Sequence, residues 1–233
     1  MTASLSIIIP TLNSEDYLPK TLFPLVHGVL DGLVSEVIIV DGGSTDSTIK
    51  IGKEAGCLTF ETSKGRGNQL SIAANHAKSP WLLFLHSDTV LQDNWYHYVR
   101  KHILACEKNQ HRRAGFFKFK LDKRGFKPRV LEYLVYLRCM LFKLPYGDQG
   151  LLISKKHYDA IGGYPNIQLM EDVEIIRNIK NADLVEFDCY AVTSAERYEH
   201  SGYIKRSLRN LSYLLRYFLG ASDQALAKSY YRK

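Results

Sequence analysis

Three short apolar runs in the first ninety residues limit the folds open to this chain more than any other feature. They are Ser4 to Ile9, Glu36 to Val40 and Trp81 to Leu85. Each stops at a polar cluster: Pro10-Thr11-Leu12-Asn13, Asp41-Gly42-Gly43-Ser44-Thr45-Asp46 and His86-Ser87-Asp88-Thr89. The last run is too uniformly apolar for a strand with one wet face and suits the interior of a parallel sheet covered on both sides. Between the runs, spacing predicts helices over 14–29, 46–55 and 67–77 and a further strand over 57–61. Asn13 or Ser14 would cap the first helix, and Ser79-Pro80 stops the third. The first 90 residues therefore read as α/β.

After residue 90 the regular alternation breaks. Helices are expected over 92–107, 131–144, 170–181, 203–219 and 222–231, with strands over 113–121 and 150–154. No linker rich in Gly, Pro or Ser divides the chain, so 1–233 is expected to form one domain whose second half elaborates the sheet of the first. The four cysteines, at 57, 106, 139 and 189, have no C-x-x-C spacing, which excludes zinc ribbons and disulfide scaffolds and suggests reduced thiols. The start lacks a basic leader and no apolar stretch approaches the roughly 20 residues that span a bilayer. The expectation is a cytoplasmic chain without a transmembrane segment, with peripheral contact to the inner face of the membrane left open.

The formal net charge is +7. Nine Lys/Arg stand against Asp122 alone between 108 and 129, and eight stand against Glu199 and Asp223 from 197 onward. Such an excess favours anionic partners, although solvated surface is the simpler account of most of it. No nucleic-acid recognition motif accompanies the charge, so no nucleic-acid partner is expected.

In an open parallel sheet, ligands bind beyond the carboxyl ends of the strands. Asp-Gly-Gly alone would be a turn and Asp46 alone a helix cap, but three strand ends with similar polar clusters point to a shared crevice. Neither G-x-G-x-x-G nor the P-loop spacing is present. Lys64-Gly65-Arg66-Gly67 precedes a helix, where backbone N–H groups and two cations could receive a diphosphate; an ordinary loop is the alternative. Asp88 offers a hard oxygen to Mg²⁺ or Mn²⁺ and His86 a nitrogen, with a structural cap beside a satisfied histidine as the competing account. Glu171 and Asp172 suit the first turn of a helix, and that alone would explain them.

Taken in order, Ser6 to Asn13, Glu36 to Asp46, Gly65-Arg66-Gly67-Asn68-Gln69, Leu85 to Thr89, Tyr146-Gly147-Asp148-Gln149-Gly150 and Met170 to Glu174 resemble glycosyltransferase family 2 with the GT-A fold. Within it, they are similar to the small bacterial branch labelled arsenosugar-biosynthesis-associated glycosyltransferases. The resemblance implies a GT-A-like α/β fold, with a central, mostly parallel mixed sheet flanked by helices and a C-terminal helical elaboration. Residues 1–90 would be the nucleotide-binding half and 91–233 the acceptor-binding and helical part.

The implied reaction is an inverting transfer from a nucleotide sugar, UDP-linked for preference, to a small or lipid-linked hydroxyl acceptor with Mg²⁺ or Mn²⁺ as cofactor. Pro10, Thr11, Asn13 and Gly43 would line the nucleotide pocket, Asp41 would receive a base N3–H, and Lys64 and Arg66 would face the diphosphate. Asp88 takes the last place of the D-x-D motif, His86 stands at its first acidic place, and His200 is a further candidate metal ligand from a late loop. Asp172 matches the general base, with a pKa expected to be raised by Glu171 or by burial. Asp148 would position the acceptor or the metal side. Segments 116–126 and 131–144 mix aromatic and cationic residues and could touch acceptor or lipid, and a homodimer stays open.

Two other readings remain. A sugar-phosphate nucleotidyltransferase would normally begin with a Gly-rich phosphate loop, where this chain has Pro-Thr-Leu-Asn. A non-catalytic module binding sugar nucleotides or polyanions would have no use for both Asp88 and Asp172.

Overall fold

The computed structural model describes residues 4–231, so Arg232 and Lys233 of the basic tail lie outside it. The first half runs β1 (Leu5–Thr11), α1 (Leu18–Leu22), α2 (Leu25–Leu30), β2 (Val34–Asp41), α3 (Thr48–Glu54), β3 (Leu58–Glu61), α4 (Arg66–His76) and β4 (Trp81–Phe84). The second half continues with β5 (Thr89–Leu91), α5 (Trp95–Asn109), β6 (Ala114–Leu121), α6 (Phe126–Phe142), β7 (Leu151–Ser154), α7 (Lys155–Ala160) and α8 (Glu171–Asn178). It ends with β8 (Leu184–Thr193), α9 (Glu196–Ser201), α10 (Tyr203–Phe218) and α11 (Asp223–Tyr231).

All eight strands share one mixed sheet in the order β3-β2-β1-β4-β7-β6-β8-β5. The four strands of the first half are parallel, as are β6 and β8; β7 runs antiparallel to both its neighbours and β5 antiparallel to β8. Strand alternation divides the apolar side chains between two layers. Ile8, Leu82 and Phe84 face a core closed by α4, α6 and α8, while Ile7, Ile9 and Leu83 face one closed by α1, α2 and α5. The uniformly apolar strands are therefore covered on both faces, as their composition requires.

The helix expected over 14–29 is broken in two, α1 and α2, at Phe23-Pro24, because Pro24 has no N–H to continue the first helix and instead precedes the second. Pro10, expected to end the first strand, lies inside β1. Leu85 N–H donates to Ile8 C=O, so Pro10, two residues on, faces the same side, and there β4 has already stopped pairing at Phe84. The missing N–H therefore leaves no ladder bond unmade. The helix expected from 131 begins at Phe126. Strand β8, unexpected from the sequence, crosses ten residues in which Glu186 and Asp188 interrupt the apolar pattern. Its Phe187 ring lies directly over Gly115 of β6, where any β-carbon would collide with it.

The strand ends that carry the polar clusters are pinned by one side chain. Gln69 on α4 is buried, and its Nε2 donates to Thr11 C=O at 2.9 Å and Val40 C=O at 2.7 Å, bridging the last turns of β1 and β2. Leucine at this position keeps the volume but leaves both bonds unmade inside the core. Gln69→Leu is expected to lower unfolding free energy by about 1–3 kcal/mol with little change in denaturant slope, read from urea unfolding followed by fluorescence.

Candidate active site

The loops after β1 and β2 are laced together by short polar side chains. Thr11 Oγ1 and Ser44 Oγ both donate to Asp41 Oδ1, at 2.8 and 2.5 Å, and the N–H groups of Gly43 and Ser44 donate to Oδ2 at 2.9 and 2.6 Å. Asn13 adopts a left-handed conformation (φ 48°); its N–H donates to Ser44 Oγ and its Oδ1 accepts from Thr45 N–H. Asp46 receives Thr48 N–H, Thr48 Oγ1 and Glu15 N–H, which makes it a brace at the start of α3. Pro10, Thr11, Asn13, Asp41 and Gly43 are thus brought together as the sequence suggested. Asp41 is 1% exposed with four protein donors on its two oxygens, so a base N–H could reach it only by displacing one of them. The hydroxyls of Thr11 and Ser44 are the donors that can rotate, and Ser44 is the less buried of the two.

The third strand end is fastened to the first. Ser87 Oγ lies 2.9 Å from Ser14 Oγ, and Thr21 Oγ1 donates to Ser87 C=O at 2.8 Å. On either side of Ser87, His86 is turned toward Gly147 and Asp88 toward α9. A β-carbon on Gly147 would stand 2.5 Å from His86 Nε2, so that nitrogen is covered by backbone and only Gly fits beneath it. Burial, with the charges of Arg66 and Arg197 added, holds the imidazole pKa well below its usual value and keeps it neutral. The ring is uncharged, and its Nε2, expected to face a metal, lies against the Gly147 backbone.

A chain of acidic side chains leads away from this point. Asp172, at the start of α8, accepts Gly147 N–H on Oδ2 at 3.1 Å and its neighbour Val173 N–H on Oδ1 at 2.8 Å. Asp148 has its Oδ1 buried with no hydrogen-bond partner. Burial raises its pKa to about 6; the Arg138 cation opposes this, while the charges of Asp172 and Asp88 add to it. Glu171, 3% exposed, is likewise raised by burial, against the pull of Arg66 and with the push of Asp172. Within this cluster, burial raises the pKa values of Glu171 and Asp148.

Cations surround the acidic cluster. Arg66, the first residue of α4, lies 3.5 Å from Glu171 Oε1. The two helix starts can approach because Gly67 sits against Pro165 and Ile167 backbone, with no room for a side chain. Arg197 on α9 reaches to 4.0 Å from Asp88 Oδ2. His200, on the same helix, is exposed and 3.7 Å from Glu196, so α9 offers the cluster an arginine and not the expected histidine. Lys64 is exposed on the loop before α4.

Three contributors had no individual signal in the sequence. Arg138 stacks on the Tyr146 ring, 3.4 Å from its centroid, and donates to Gln149 Oε1 at 3.0 Å. Gln149 is buried and donates to Phe117 C=O at 3.1 Å, tying the 146–150 turn to β6. Arg197 was one basic residue among many in the tail. Only the side chains of Gln149 and its neighbours as a contiguous motif could have flagged the turn.

The sequence profile of the family described as "Glycosyl transferase family 2" matches residues 6–135. A PGL/p-HBAD biosynthesis glycosyltransferase of Mycobacterium bovis is 34% identical over 95 residues, 38% of this chain and 36% of the relative. The poly(ribitol-phosphate) β-N-acetylglucosaminyltransferase TarS of Staphylococcus aureus is 33% identical over 90 residues, 36% of this chain and 16% of that one. The chain thus covers about a third or less of the length of these curated relatives. Among solved structures, the first 349 residues of S. aureus TarS in complex with UDP superpose with a TM-score of 0.61 at 21% identity, over 84% of this chain and 62% of that one. Glucosyl-3-phosphoglycerate synthase of Mycobacterium tuberculosis with Mn²⁺, UDP and phosphoglyceric acid gives 0.55 at 18% identity, over 82% and 69%. These likenesses and the sheet order establish a GT-A-like fold.

The orphaned Asp148 carboxyl makes a prediction about stability. Between its ordinary pKa of 3.8 and about 6, the folded protein holds a proton that the unfolded chain releases, so this group's contribution to stability falls as pH rises through that window. Asp148→Asn is expected to stabilise the ligand-free protein by about 1–3 kcal/mol at pH 7 and by much less near pH 4. Urea unfolding of variant and wild type at both pH values, compared as a difference, checks the sign.

Proposed function

The chain belongs to glycosyl transferase family 2, and from that premise we propose that it transfers a sugar, with inversion, from a UDP-sugar to a hydroxyl acceptor. The observation that supports the reading is that Asp172 accepts the N–H of Gly147, the neighbour of buried Asp148, while Thr193 Oγ1 bonds both Asp148 C=O and the hydroxyl of Thr89, the neighbour of Asp88. The nucleoside occupies the pocket of Pro10, Thr11, Asn13 and Gly43. Its base N–H meets Asp41 as the Ser44 hydroxyl turns away, and Lys64 and Arg66 stand on the diphosphate side.

Among the described residues no group of three or more His, Cys, Asp or Glu is arranged to hold a metal by itself. Asp88, with the unpartnered Oδ1 of Asp148 nearby, nevertheless fits a hard divalent cation whose other ligands would be donor phosphate oxygens. Mg²⁺ or Mn²⁺ bound there supplies charge neutralisation to the departing diphosphate. Arg197, already beside Asp88, contributes a fixed cation to the same side.

Asp172 is the general base. The two N–H bonds on its carboxylate fix its plane and leave lone pairs for the acceptor hydroxyl. As that oxygen forms its bond to the anomeric carbon, the bond to the diphosphate oxygen breaks, the hydroxyl proton passes to Asp172, and UDP leaves with the bonding pair. Glu171, held by Arg66, orients the start of α8. The resemblance of His86-Ser87-Asp88 and of Tyr146 to Gly150 to the arsenosugar-associated branch is the basis for a finer assignment within the family. The acceptor class we propose is a small or lipid-linked alcohol.

Asp172→Asn is expected to leave UDP affinity within about twofold while lowering kcat by about 100-fold or more, since a general base acts only as transfer proceeds. Calorimetry and UDP release with a competent acceptor read the two quantities separately. A kcat above about a tenth of wild type with chemistry rate-limiting would remove Asp172 from this role. Retention of the donor's anomeric configuration would overturn single displacement itself. On the donor side, Asp88→Asn is expected to abolish the strengthening of UDP binding by Mn²⁺, and UDP binding indifferent both to EDTA and to this substitution would exclude the metal.

A further inference from the structure

We propose that the outer faces of α6 and α10 seat this protein on the surface of an anionic lipid bilayer. On α10, Ile204, Leu208, Leu211, Leu215 and Phe218 recur at intervals of three and four, which places them along one stripe of the helix. All are exposed, Ile204 at 76% and Leu208 at 61%, and Leu219 just beyond the helix is 87% exposed. The opposite side of the same helix is already used: Tyr213 and Leu214 are buried, and Leu214 joins the core that Leu131, Val135 and Cys139 of α6 enter. Helix α6 repeats the arrangement, with Phe126, Tyr133, Leu134 and Leu141 exposed on its outer side and Phe142 exposed in its last turn. The two helices pack against each other. An apolar surface of this extent on a water-facing helix pair marks an interaction site.

Charge selects the occupant. Residues 203–218 contain Lys205, Arg206, Arg209 and Arg216 and no acidic residue. Lys205, Arg209 and Arg216 are exposed and follow one edge of the stripe at spacings of four and seven. On α6, Lys127 and Arg129 are exposed at the first turn, Lys143 follows the last, and Glu132, the helix's one acid, is turned inward to Leu121 N–H as well as to Arg129. A basic rim around an apolar stripe on helices lying along a surface matches anionic headgroups above acyl chains. A second copy of the chain is a poor match, because a two-fold contact would press two basic, acid-free faces together. No helix among the described residues is long and apolar enough to cross a membrane, so the contact is with the surface.

The test uses the whole chain and vesicles of phosphatidylcholine, alone or with about 30 mol% phosphatidylglycerol. Flotation is expected to carry the protein with the anionic vesicles and not with the neutral ones, and binding is expected to fall as NaCl rises from about 0.1 to 0.5 M. Leu208→Glu with Leu215→Glu should reduce vesicle binding by about tenfold or more, with UDP affinity and thermal midpoint unchanged. Lys127→Glu with Lys205→Glu, which leaves every apolar side chain in place, should weaken binding to anionic vesicles alone. Absence of binding to anionic vesicles, or equal binding to neutral ones, overturns the proposal. So does a stable dimer in sedimentation velocity that the leucine variant disperses. Vesicle and UDP binding are read independently, so failure here leaves the transferase reading standing and the reverse also holds.

Discussion

Four carboxyl groups, Asp88, Asp148, Glu171 and Asp172, are gathered where apolar strands end, and the rest of the structure is arranged around the electrostatic strain this creates. Like charges in a poorly hydrated place repel, and those of Asp148 and Glu171 are further disfavoured by lost solvation. The protein answers with cations at the edges. Arg66 faces Glu171, Arg197 faces Asp88, and Arg138 lies behind Asp148. It leaves one carboxyl oxygen, on Asp148, without a partner. In a ligand-free protein that oxygen is a liability, and such a liability is characteristic of a site whose stability is subordinate to binding.

Gly147 shows how closely the two sides of the site are coupled. Its missing side chain admits the His86 ring on one side, and its N–H donates to Asp172 on the other. One backbone unit therefore sets the distance between them, and the turn that contains it is anchored by the buried Gln149 to β6 and by Thr193 Oγ1 to Asp148 C=O. A rigid turn at this place suits the proposed role of Asp172, since a base displaced by a fraction of an ångström loses its geometry.

The first half of the fold was legible because it obeys a local code. Parallel strands buried on both faces are apolar throughout, and their ends are marked by polar residues whose convergence follows from the sheet's topology. That is why Thr11, Asp41 and Asp88 could be singled out without coordinates, whereas Asp172, at a helix start in the second half, was marked only by the family resemblance. What the pattern could not convey is occupancy. Asp41 is filled by four donors from its own and a neighbouring loop, and His86 packs on a glycine sixty-one residues away in sequence. The raised pKa values of Asp148 and Glu171 were equally hidden, because the burial that causes them is acquired only on folding. Strand β8 was missed for a related reason: its alternation is imperfect, and its pairing with β6 is shifted by an irregularity between Phe117 and Lys118. Phe187 over Gly115 compensates in packing for what the pattern lacks.

Helix α6 joins the two halves of this picture. Its inner side carries Leu131, Val135 and Cys139 into the core, and Arg138 from the same helix reaches Tyr146 and Gln149 in the turn that bears Asp148. Its outer side carries Leu134 and Leu141 into solvent. A helix with an apolar face inward folds because of that face; the second, outward face adds nothing to folding and exposes the chain to association. The arginine's charge opposes the raised pKa of buried Asp148, so the element that favours this carboxylate is also one that displays an exposed apolar face. Because α6 is a single helix of seventeen residues, the position of its outer face fixes the position of Arg138, and the orientation of the protein on any surface it meets is thereby tied to the geometry of the acidic turn.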